Sequence, residues 1–407
     1  MSSNYTPRAF FRQIPNALLA RYFQERGIFG DLDFAAMKET KPDLLFDAWL
    51  GLPEQQRKVM DTEFQDILGL SGESGFNAII DEANWQLRET PDAIPPLIEM
   101  LSALPSHAER AMITFLDHRE FWKGATRFHH ADTLPYWRKR KHMGNKPAAV
   151  DQATLDTFAA QIGNYFHKTE GRGANCIVEP YRRGELDYFF AYPEDYSQQA
   201  IEWVDGEFGR RPHNPAFEVI FVYSQKEGSL DLNLRGSRKA VEPLQGIFAT
   251  TILGLDALPP DPKDERVYDL NLLGKKSFTF THQPNSGISS VVVRKLRLSS
   301  RFRKGERLTL EADTGESPVA VYDLVERISQ AVPLRQYHVS QVEIAATVVV
   351  DADKPPKVFT IRLTHPNSCS LKYDELGLTL RAMLEASGIE PKEPTEPETA
   401  LEDIVQA

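Results

Sequence analysis

The stretch that most constrains the fold spans residues 216–255, because it joins the pattern of a β-hairpin to that of a helix. Apolar residues occupy both faces of 217–223, which is typical of a strand that is covered on both sides. Gly228 lies in the polar loop that follows, where a positive φ is expected. Alternating leucines at 230–234 predict the return strand, and apolar residues at helical spacing over 241–252 predict the helix.

A looser copy of this order of elements occurs near the C-terminus. Residues 343–350 and 357–363 have the pattern of a second hairpin, and apolar residues over 376–384 share one face of a helix. Each copy follows another hairpin pattern, at 177–192 in the first and at 288–311 in the second. The sequence therefore predicts two β-rich units, each closed by a helix.

The residues before these units have the periodicity of helices joined by short polar connections. Ser106 and Glu109, for example, form the capping-box pattern at the start of one predicted helix. The fold class is therefore expected to be multidomain α+β, with an all-α N-terminal domain followed by the α+β region. The predicted domains are a helical domain at 1–170, the first β-rich unit at 171–262, the second at 263–389, and a disordered acidic tail at 390–407.

Composition limits the class of protein and its compartment. The net charge of −11 disfavours a protein that coats nucleic acid along its whole surface, but it leaves room for a local basic face. Cys176 and Cys369 are the two cysteines of the 407-residue chain, which argues against a disulfide framework and against a cysteine-rich zinc site. No apolar run approaches the ~20 residues that span a bilayer, and the first residues lack the apolar core of a secretory signal. We therefore expect a cytoplasmic protein.

A run of aromatic and basic residues lies at 136–142 of this acidic chain. Aromatic rings beside cations suit a phosphate backbone and its exposed bases. The alternative is a solvated loop, which is the usual role of a charge run. The nucleic-acid-binding residues predicted here are Trp137, Arg138, Lys139, Arg140 and Lys141.

A second basic run covers the predicted strand at 291–298 and the residues that follow it. Its candidate nucleic-acid-binding residues are Arg294, Arg297, Arg301, Arg303 and Lys304. Such cations also protect an edge strand against aggregation, which is the structural alternative. The two runs are far apart in sequence, so the binding hypothesis gains weight only if the fold brings them to one face.

A third basic run lies at the junction between the strand and the helix of the first copy. Free backbone N–H groups, a glycine and several cations before a helix make a competent anion site. The alternative is a tight turn with solvated arginines. The predicted anion-binding residues are Arg235, Gly236, Ser237, Arg238 and Lys239.

Two sets of residues are candidates for a metal-dependent catalytic site. His129, His130 and Asp132 supply imidazole and carboxylate ligands, although adjacent histidines point in different directions on a helix. The second set is of the type that metal-dependent nucleases use, with carboxylates for the ion and a lysine for the attacking water. It comprises Asp187, Glu218 and either Lys226 or Lys239. Convergence of three ligand atoms within about 2–2.5 Å of one point would support either set.

The leading hypothesis is a non-enzymatic binding or accessory subunit of a multi-component system. It works with protein partners and contacts nucleic acid through local basic patches; a bacterial antiviral defence system is one setting, by analogy of layout alone. The alternatives are a divergent metal-dependent nuclease or hydrolase, and a purely structural protein-interaction subunit. The last of these predicts an exposed apolar patch on the helical domain. No cofactor or metal is predicted.

Overall fold

The computed structural model describes residues 5–204, 206–236, 238–260, 267–350 and 355–391. The chain forms two compact units. Unit 1 comprises Met1–Thr133 with Arg182–Gly184, and unit 2 comprises Leu134–Tyr181 and Glu185–Ala407. The expected α+β class, with a helical N-terminal region, is confirmed. Within the described residues, no helix combines the length and apolar character that a membrane span requires.

Unit 1 is a helical unit with an aromatic core. Its described helices are α1 (Pro7–Gln13), α2 (Asn16–Gln24), α3 (Asp43–Leu50), α4 (Glu54–Leu70), α5 (Glu73–Gln86), α6 (Ile94–Ser102), α7 (His107–Asp117) and α8 (Arg119–Thr133). Phe10 stacks on Phe64 at 4.1 Å between ring centroids, and both rings are fully buried. Ser106 accepts a hydrogen bond from the backbone N–H of Glu109 at 3.2 Å, as the capping-box pattern predicts.

Unit 2 contains a ten-stranded sheet, a separate two-stranded sheet and four described α-helices. Its elements are β1 (Trp137–Arg140), α9 (Gln152–Glu170), β2 (Cys176–Arg183), β3 (Leu186–Pro193), β4 (Gln198–Val204), β5 (Glu207–His213), β6 (Val219–Ser224), β7 (Ser229–Leu234), α10 (Val241–Thr251), β8 (Ile288–Ser300), β9 (Arg307–Glu311), α11 (Ala320–Ser329), β10 (Tyr337–Val348), β11 (Lys357–Thr364), β12 (Ser368–Cys369) and α12 (Glu375–Ala386). The order of the large sheet is β2-β3-β6-β7-β1-β12-β11-β10-β8-β9, and β4 pairs with β5 in the small sheet. Both predicted hairpin–helix copies are present, as β6-β7-α10 and β10-β11-α12.

The two predicted β-rich units form one continuous sheet in unit 2. We call β2, β3, β6 and β7 the first half, and β12, β11, β10, β8 and β9 the second half. Strand β1 joins the halves, because Arg138 lies opposite Leu232 of β7 on one side and opposite Ser368 of β12 on the other. The predicted boundary at 262/263 falls outside the described residues, and both segments that flank it contribute to the same sheet.

The boundary of the helical region also differs from the predicted position at 170/171. Unit 1 ends at Thr133, and α9 belongs to unit 2. The reason is packing: Phe158 and Phe166 of α9 are buried in one cluster with Phe189 and Phe221 of the sheet. The sequence shows the apolar stripe of α9, but it does not show which surface that stripe covers.

The helices cover opposite faces of the two halves. Arg138 is opposite Leu232, which shares its buried cluster with residues of α9 and α10. Trp137 is opposite Cys369, which shares its buried cluster with residues of α11 and α12. Successive strand residues point to opposite faces. In the second half, α11 and α12 therefore cover the face of Trp137, and the face of Arg138 is the opposite one.

Candidate nucleic-acid interface

A row of polar side chains crosses the second half of the sheet on the face that carries Arg138. We call it the polar row, and its successive cross-strand partners are Arg138, Ser368, Thr364, Gln341, Arg297 and Thr309. Directly opposed residues of adjacent strands project from the same face. Arg138 and Arg297, from the two predicted nucleic-acid-binding runs, therefore share one face. Every member of the polar row is at least partly exposed.

The polar row is long compared with a single anion. Four strand steps separate Arg138 from Arg297, through β12, β11 and β10. At the usual spacing of about 4.8 Å between strands, the two arginines start about 19 Å apart. A ligand that contacts both must therefore be extended and must carry more than one negative group.

A neighbouring row on the same face is neutralised by its own ion pairs. Arg362 lies two residues from Thr364 of the polar row, so it projects from the same face. Its Nη2 lies 2.8 Å from Glu343 Oε2, and Lys295 Nζ lies 2.7 Å from Glu311 Oε2. The excess positive charge of this face therefore comes from other residues.

That excess comes from arginines that lie near one another and make no ion pair with a described residue. Burial lowers the pKa of Arg138, and the charge of Arg238 lowers it further. Burial lowers the pKa of Arg297 in the same way, with repulsion from Arg307. Among the described residues, none of these four arginines makes an ion pair. Two like-charge arginine pairs without an acidic partner among the described residues favour an anionic ligand over the free state.

Arg307 and Arg238 lie near this face but belong to other elements than β1 and β8. Arg307 lies opposite Ser299, which is two residues from Arg297, so it projects from the same face. Arg238 begins a short 3-10 helix, Arg238–Ala240, that leads into α10. It comes from the predicted anion-binding run, so the fold brings residues of all three basic runs towards one region.

The predicted anion-binding run is largely exposed. Arg235, Gly236, Arg238 and Lys239 are exposed, while Ser237 lies outside the described residues. Gly236 has a φ of 135°, which L side chains rarely adopt. This part of the prediction stays a prediction, with Arg238 as the member whose charge acts on Arg138.

Trp137, a predicted nucleic-acid-binding residue, does not belong to an exposed surface. Its side chain is 1% exposed, and its Nε1 donates to the Leu134 carbonyl at 3.1 Å. The ring packs edge-on against Tyr373, with 5.5 Å between centroids. The cause is the face from which it projects, because Trp137 lies opposite Cys369, which shares its buried cluster with residues of α11 and α12.

Lys139 and Arg140, two further predicted nucleic-acid-binding residues, are also buried. Lys139 Nζ donates to Glu227 Oε2 at 2.8 Å and to Glu390 Oε1 at 2.7 Å. Arg140 Nη2 donates to the Pro259 carbonyl at 2.7 Å. Both cations therefore have partners inside the fold, as expected because a buried charge without a partner is costly.

Lys141 directly follows β1, is half-buried, and contacts the residues that follow α12. Its Nζ donates to the Pro391 carbonyl at 2.6 Å and lies 3.5 Å from Glu390 Oε1. Glu390 and Pro391, the first two residues of the predicted tail, are therefore part of the described fold. The rest of that tail, 392–407, lies outside the described residues.

The aromatic residue that is available beside Arg138 is Tyr136, which was missing from the predicted site residues. Its side chain is 52% exposed, and its hydroxyl accepts from Arg362 Nη1 at 3.3 Å. Its φ is 68°, a left-handed conformation that is uncommon for a bulky residue. The sequence alone does not separate the two rings, because the strand that buries Trp137 depends on pairing with β7 and β12.

The remaining predicted residues of the second basic run have varied environments. Arg294 Nε lies 3.4 Å from Thr314 Oγ1, and Arg301 Nε donates to the Tyr337 carbonyl at 3.2 Å. Arg303 pairs with Glu306 at 3.3 Å, and Lys304 is exposed. Phe302, between Arg301 and Arg303, is 77% exposed in the connection from β8 to β9. This connection is a second place where an exposed ring lies among cations.

The histidine set does not form a metal site. Asp132 is buried in α8, and its Oδ1 accepts from Arg183 Nη1 at 2.9 Å within unit 1. His129 Nδ1 lies 3.5 Å from Ser74 Oγ. Among the described residues, no group of three or more metal-ligating side chains converges.

The nuclease-type set is scattered along the sheet. Asp187 is buried and lies opposite Tyr223, near the end of β6, whereas Glu218 precedes the first residue of that strand. Five residues of extended chain separate the two positions, which is roughly 16 Å. Lys226 is in the turn after β6, and Lys239 is beyond β7. These side chains do not meet the convergence test.

A polar cavity of about 520 Å³ lies on the other face of the sheet, between its strands and α12. Lys139, Asp231, Arg381, Tyr373 and Glu390 are among its lining residues. Burial raises the pKa of Asp231 against the opposing effect of Arg381. Arg381 Nη2 donates to the Leu371 carbonyl at 2.8 Å. The charges that line this cavity are of both signs, so it has no clear preference for an anion.

Comparison with known proteins assigns no family to this chain. No protein-family model matches the sequence, and no curated protein matches it. We therefore base the functional proposal on the geometry of the polar row and its arginines.

Proposed function

We propose that this protein is a non-enzymatic nucleic-acid-binding subunit whose polar row contacts the phosphate backbone. The observation that carries the proposal is the set of four arginines near one face, Arg138, Arg238, Arg297 and Arg307, none of which makes an ion pair with a described residue. Phosphate groups would relieve the repulsion within each arginine pair and replace condensed counter-ions on the nucleic acid.

A polyanion fits this face better than a small anion does. Arg138 and Arg297 begin about 19 Å apart, at four strand steps of about 4.8 Å. Ser368, Thr364 and Gln341 lie between them and offer hydroxyl and amide groups. The chain carries a net charge of −11, so the interaction would be confined to this face instead of covering the surface. We place the protein in the cytoplasm, as an accessory subunit of a multi-component system.

A second candidate function, docking to a protein partner, is supported by the two-stranded sheet. Ile201, Trp203 and Phe208 are each at least 60% exposed there, and the rings of Trp203 and Phe208 are 5.3 Å apart. An exposed group of large apolar side chains is typical of an interaction site. The sequence placed such a patch on the helical domain, whereas β4 and β5 belong to unit 2. This function is compatible with nucleic-acid binding.

The test is binding of the purified full chain to fluorescent single- and double-stranded DNA and RNA oligonucleotides, measured by anisotropy at several salt concentrations. We expect affinity to fall steeply with salt. Replacing Arg138, Arg238, Arg297 and Arg307 together with glutamine should abolish binding while the far-UV circular dichroism stays unchanged. The matched control is Arg21→Gln, an exposed arginine of unit 1 that pairs with Asp117. No binding by the wild-type chain at low salt would overturn the proposal.

A further inference from the structure

We infer, on the basis of the function proposed above, that the polar row selects single-stranded nucleic acid over duplex and that the ring of Tyr136 stacks on an unpaired base. The inference rests on the conformation and exposure of Tyr136, on the width of the polar row, and on the polar side chains between its arginines.

Tyr136 is held in a conformation that a bulky side chain rarely adopts. Its φ of 68° is in the left-handed region, which favours glycine and asparagine. The surroundings hold it there: Trp137 follows in the buried centre of the sheet, and Arg362 donates to the Tyr136 hydroxyl at 3.3 Å. Backbone outliers of this kind cluster at binding sites, where they orient a side chain.

This conformation leaves the ring half-exposed beside the cations of the polar face. The side chain is 52% exposed, and Arg362, its hydrogen-bond donor, projects from the same face as Arg138. Aromatic rings next to arginines form stacking platforms for bases, and such stacking tolerates any base. Bases within a duplex already stack on each other, so a ring of this kind can be used only by an unpaired base.

The width of the polar row disfavours entry into a duplex groove. Four strand steps of about 4.8 Å give a row about 19 Å wide between Arg138 and Arg297. The major groove of B-DNA is about 12 Å wide, enough for one helix or a two-stranded ribbon. A duplex would therefore meet this face only from outside, through one side of its backbone.

The side chains between the arginines suit a strand whose bases are open. Ser368 and Thr364 offer hydroxyl groups, and Gln341 offers an amide that both donates and accepts. All three are partly exposed. They can contact sugars and the hydrogen-bonding edges of splayed bases, which duplex pairing would occupy.

Phe302 provides a second exposed ring in the β8–β9 connection. It is 77% exposed and lies between Arg301 and Arg303. The connection follows β8, which carries Arg297 of the polar row. A second exposed ring therefore lies five residues beyond Arg297 in the chain, where it can stack on a base.

The experiment compares a labelled 20-nucleotide single strand with the blunt duplex of the same sequence, by anisotropy of the full chain at low salt. We expect the single strand to bind at least tenfold more tightly. Tyr136→Asn removes the ring but tolerates a left-handed backbone, and it should weaken single-strand binding about tenfold while duplex binding stays unchanged. Tyr136→Phe keeps the ring and should retain the wild-type preference. Tyr196→Asn is the matched control, since it removes a ring that is 51% exposed and does not belong to the polar row.

The outcomes separate this inference from the proposed function. Equal affinity for the two forms, or tighter duplex binding, overturns the single-strand inference and leaves nucleic-acid binding standing. A Tyr136→Asn variant with the wild-type preference for single strands likewise excludes stacking on Tyr136. No binding of either form overturns the proposed function itself.

Discussion

Arg138 and Arg297 project from one face of one sheet and belong to a single row of directly opposed residues. The segments that carry them, β1 and β8, are separated by most of unit 2 in sequence. Each arginine has another arginine nearby, Arg238 and Arg307 respectively, and burial lowers the pKa of both row members. The fold thus brings arginines close together, although the repulsion between their like charges does not favour folding.

The burial of Trp137 predicts a large effect on stability. Trp137→Ala should lower the free energy of unfolding by about 3–5 kcal/mol, because it removes a fully buried indole from the centre of the sheet. Urea denaturation followed by circular dichroism measures the change. Phe302→Ala, at a site that is 77% exposed, should stay within about 0.5 kcal/mol of the wild type. Similar losses for the two variants would show that Trp137 is not in the core.

The buried ion pair between Lys139 and Glu390 predicts that removal of one charge is costly. Lys139→Ala leaves the Glu390 carboxylate buried without its 2.7 Å partner and should cost about 3–5 kcal/mol of unfolding free energy. The same urea titration checks this value. Arg303→Ala breaks the exposed pair with Glu306 and should change stability little. A small effect at Lys139 would contradict the buried position of Glu390.

The thiol of Cys176 predicts a specific pH dependence of its reactivity. Burial raises the pKa of Cys176 to about 12, so the fraction of thiolate at pH 8 falls by about three orders of magnitude relative to a free cysteine. Alkylation in the folded protein should therefore be slow and should rise about tenfold per pH unit up to pH 10. Peptide mapping by mass spectrometry separates Cys176 from Cys369, and urea-unfolded protein is the reference.

The same shift has a consequence for stability, with a definite sign. The folded-state pKa of Cys176 is raised above its unfolded value of about 8.5. Its contribution to stability is therefore complete below pH 8.5 and is lost as the pH rises towards about 12. Fast alkylation of Cys176 in the folded chain at pH 8 would contradict both statements.

Two glycines in helices of unit 2 predict opposite effects of alanine. A Cβ on Gly163 of α9 would lie 2.7 Å from the backbone oxygen of Gly173, so Gly163→Ala should cost on the order of 1–3 kcal/mol. A Cβ on Gly246 of α10 would meet nothing nearer than 3.9 Å. Gly246→Ala should therefore raise stability by about 0.5–1 kcal/mol through helix propensity. Thermal unfolding of both variants tests the close approach of α9 to the residues that follow it.

Local pattern was sufficient to predict much of the fold. The hairpin β6–β7 and its helix α10 are encoded by period-2 leucines, a glycine turn and helical spacing within forty residues, and the second copy repeats that logic. Strand β1 was not predicted, because the four residues of Trp137–Arg140 are too short and too basic to declare a buried strand. Its strand character depends on pairing with β7 and β12, which are distant in sequence.

The candidate site was predicted only in part, for the same reason. The sequence marks Arg138 and Arg297 as basic, but their common row depends on the order of five strands. The basic run contains both Tyr136 and Trp137, but the sequence does not show that Trp137 is the buried ring. Its burial depends on which face of β1 is covered in the fold. Lys139 is basic like its neighbours in sequence, but its acidic partners are distant in the chain. They are Glu227, in the turn after β6, and Glu390, four residues after the end of α12.

The most direct test of the account is the salt dependence of nucleic-acid binding by Arg138→Gln, Arg297→Gln and the double variant. Each arginine that contacts a phosphate contributes about one unit to the slope of log affinity against log salt. We expect each single variant to lower the magnitude of the slope by about one and the double variant to lower it by about two, while Arg21→Gln leaves it unchanged. An unchanged slope in a folded double variant would contradict the account, because the polar row would then not contact the backbone.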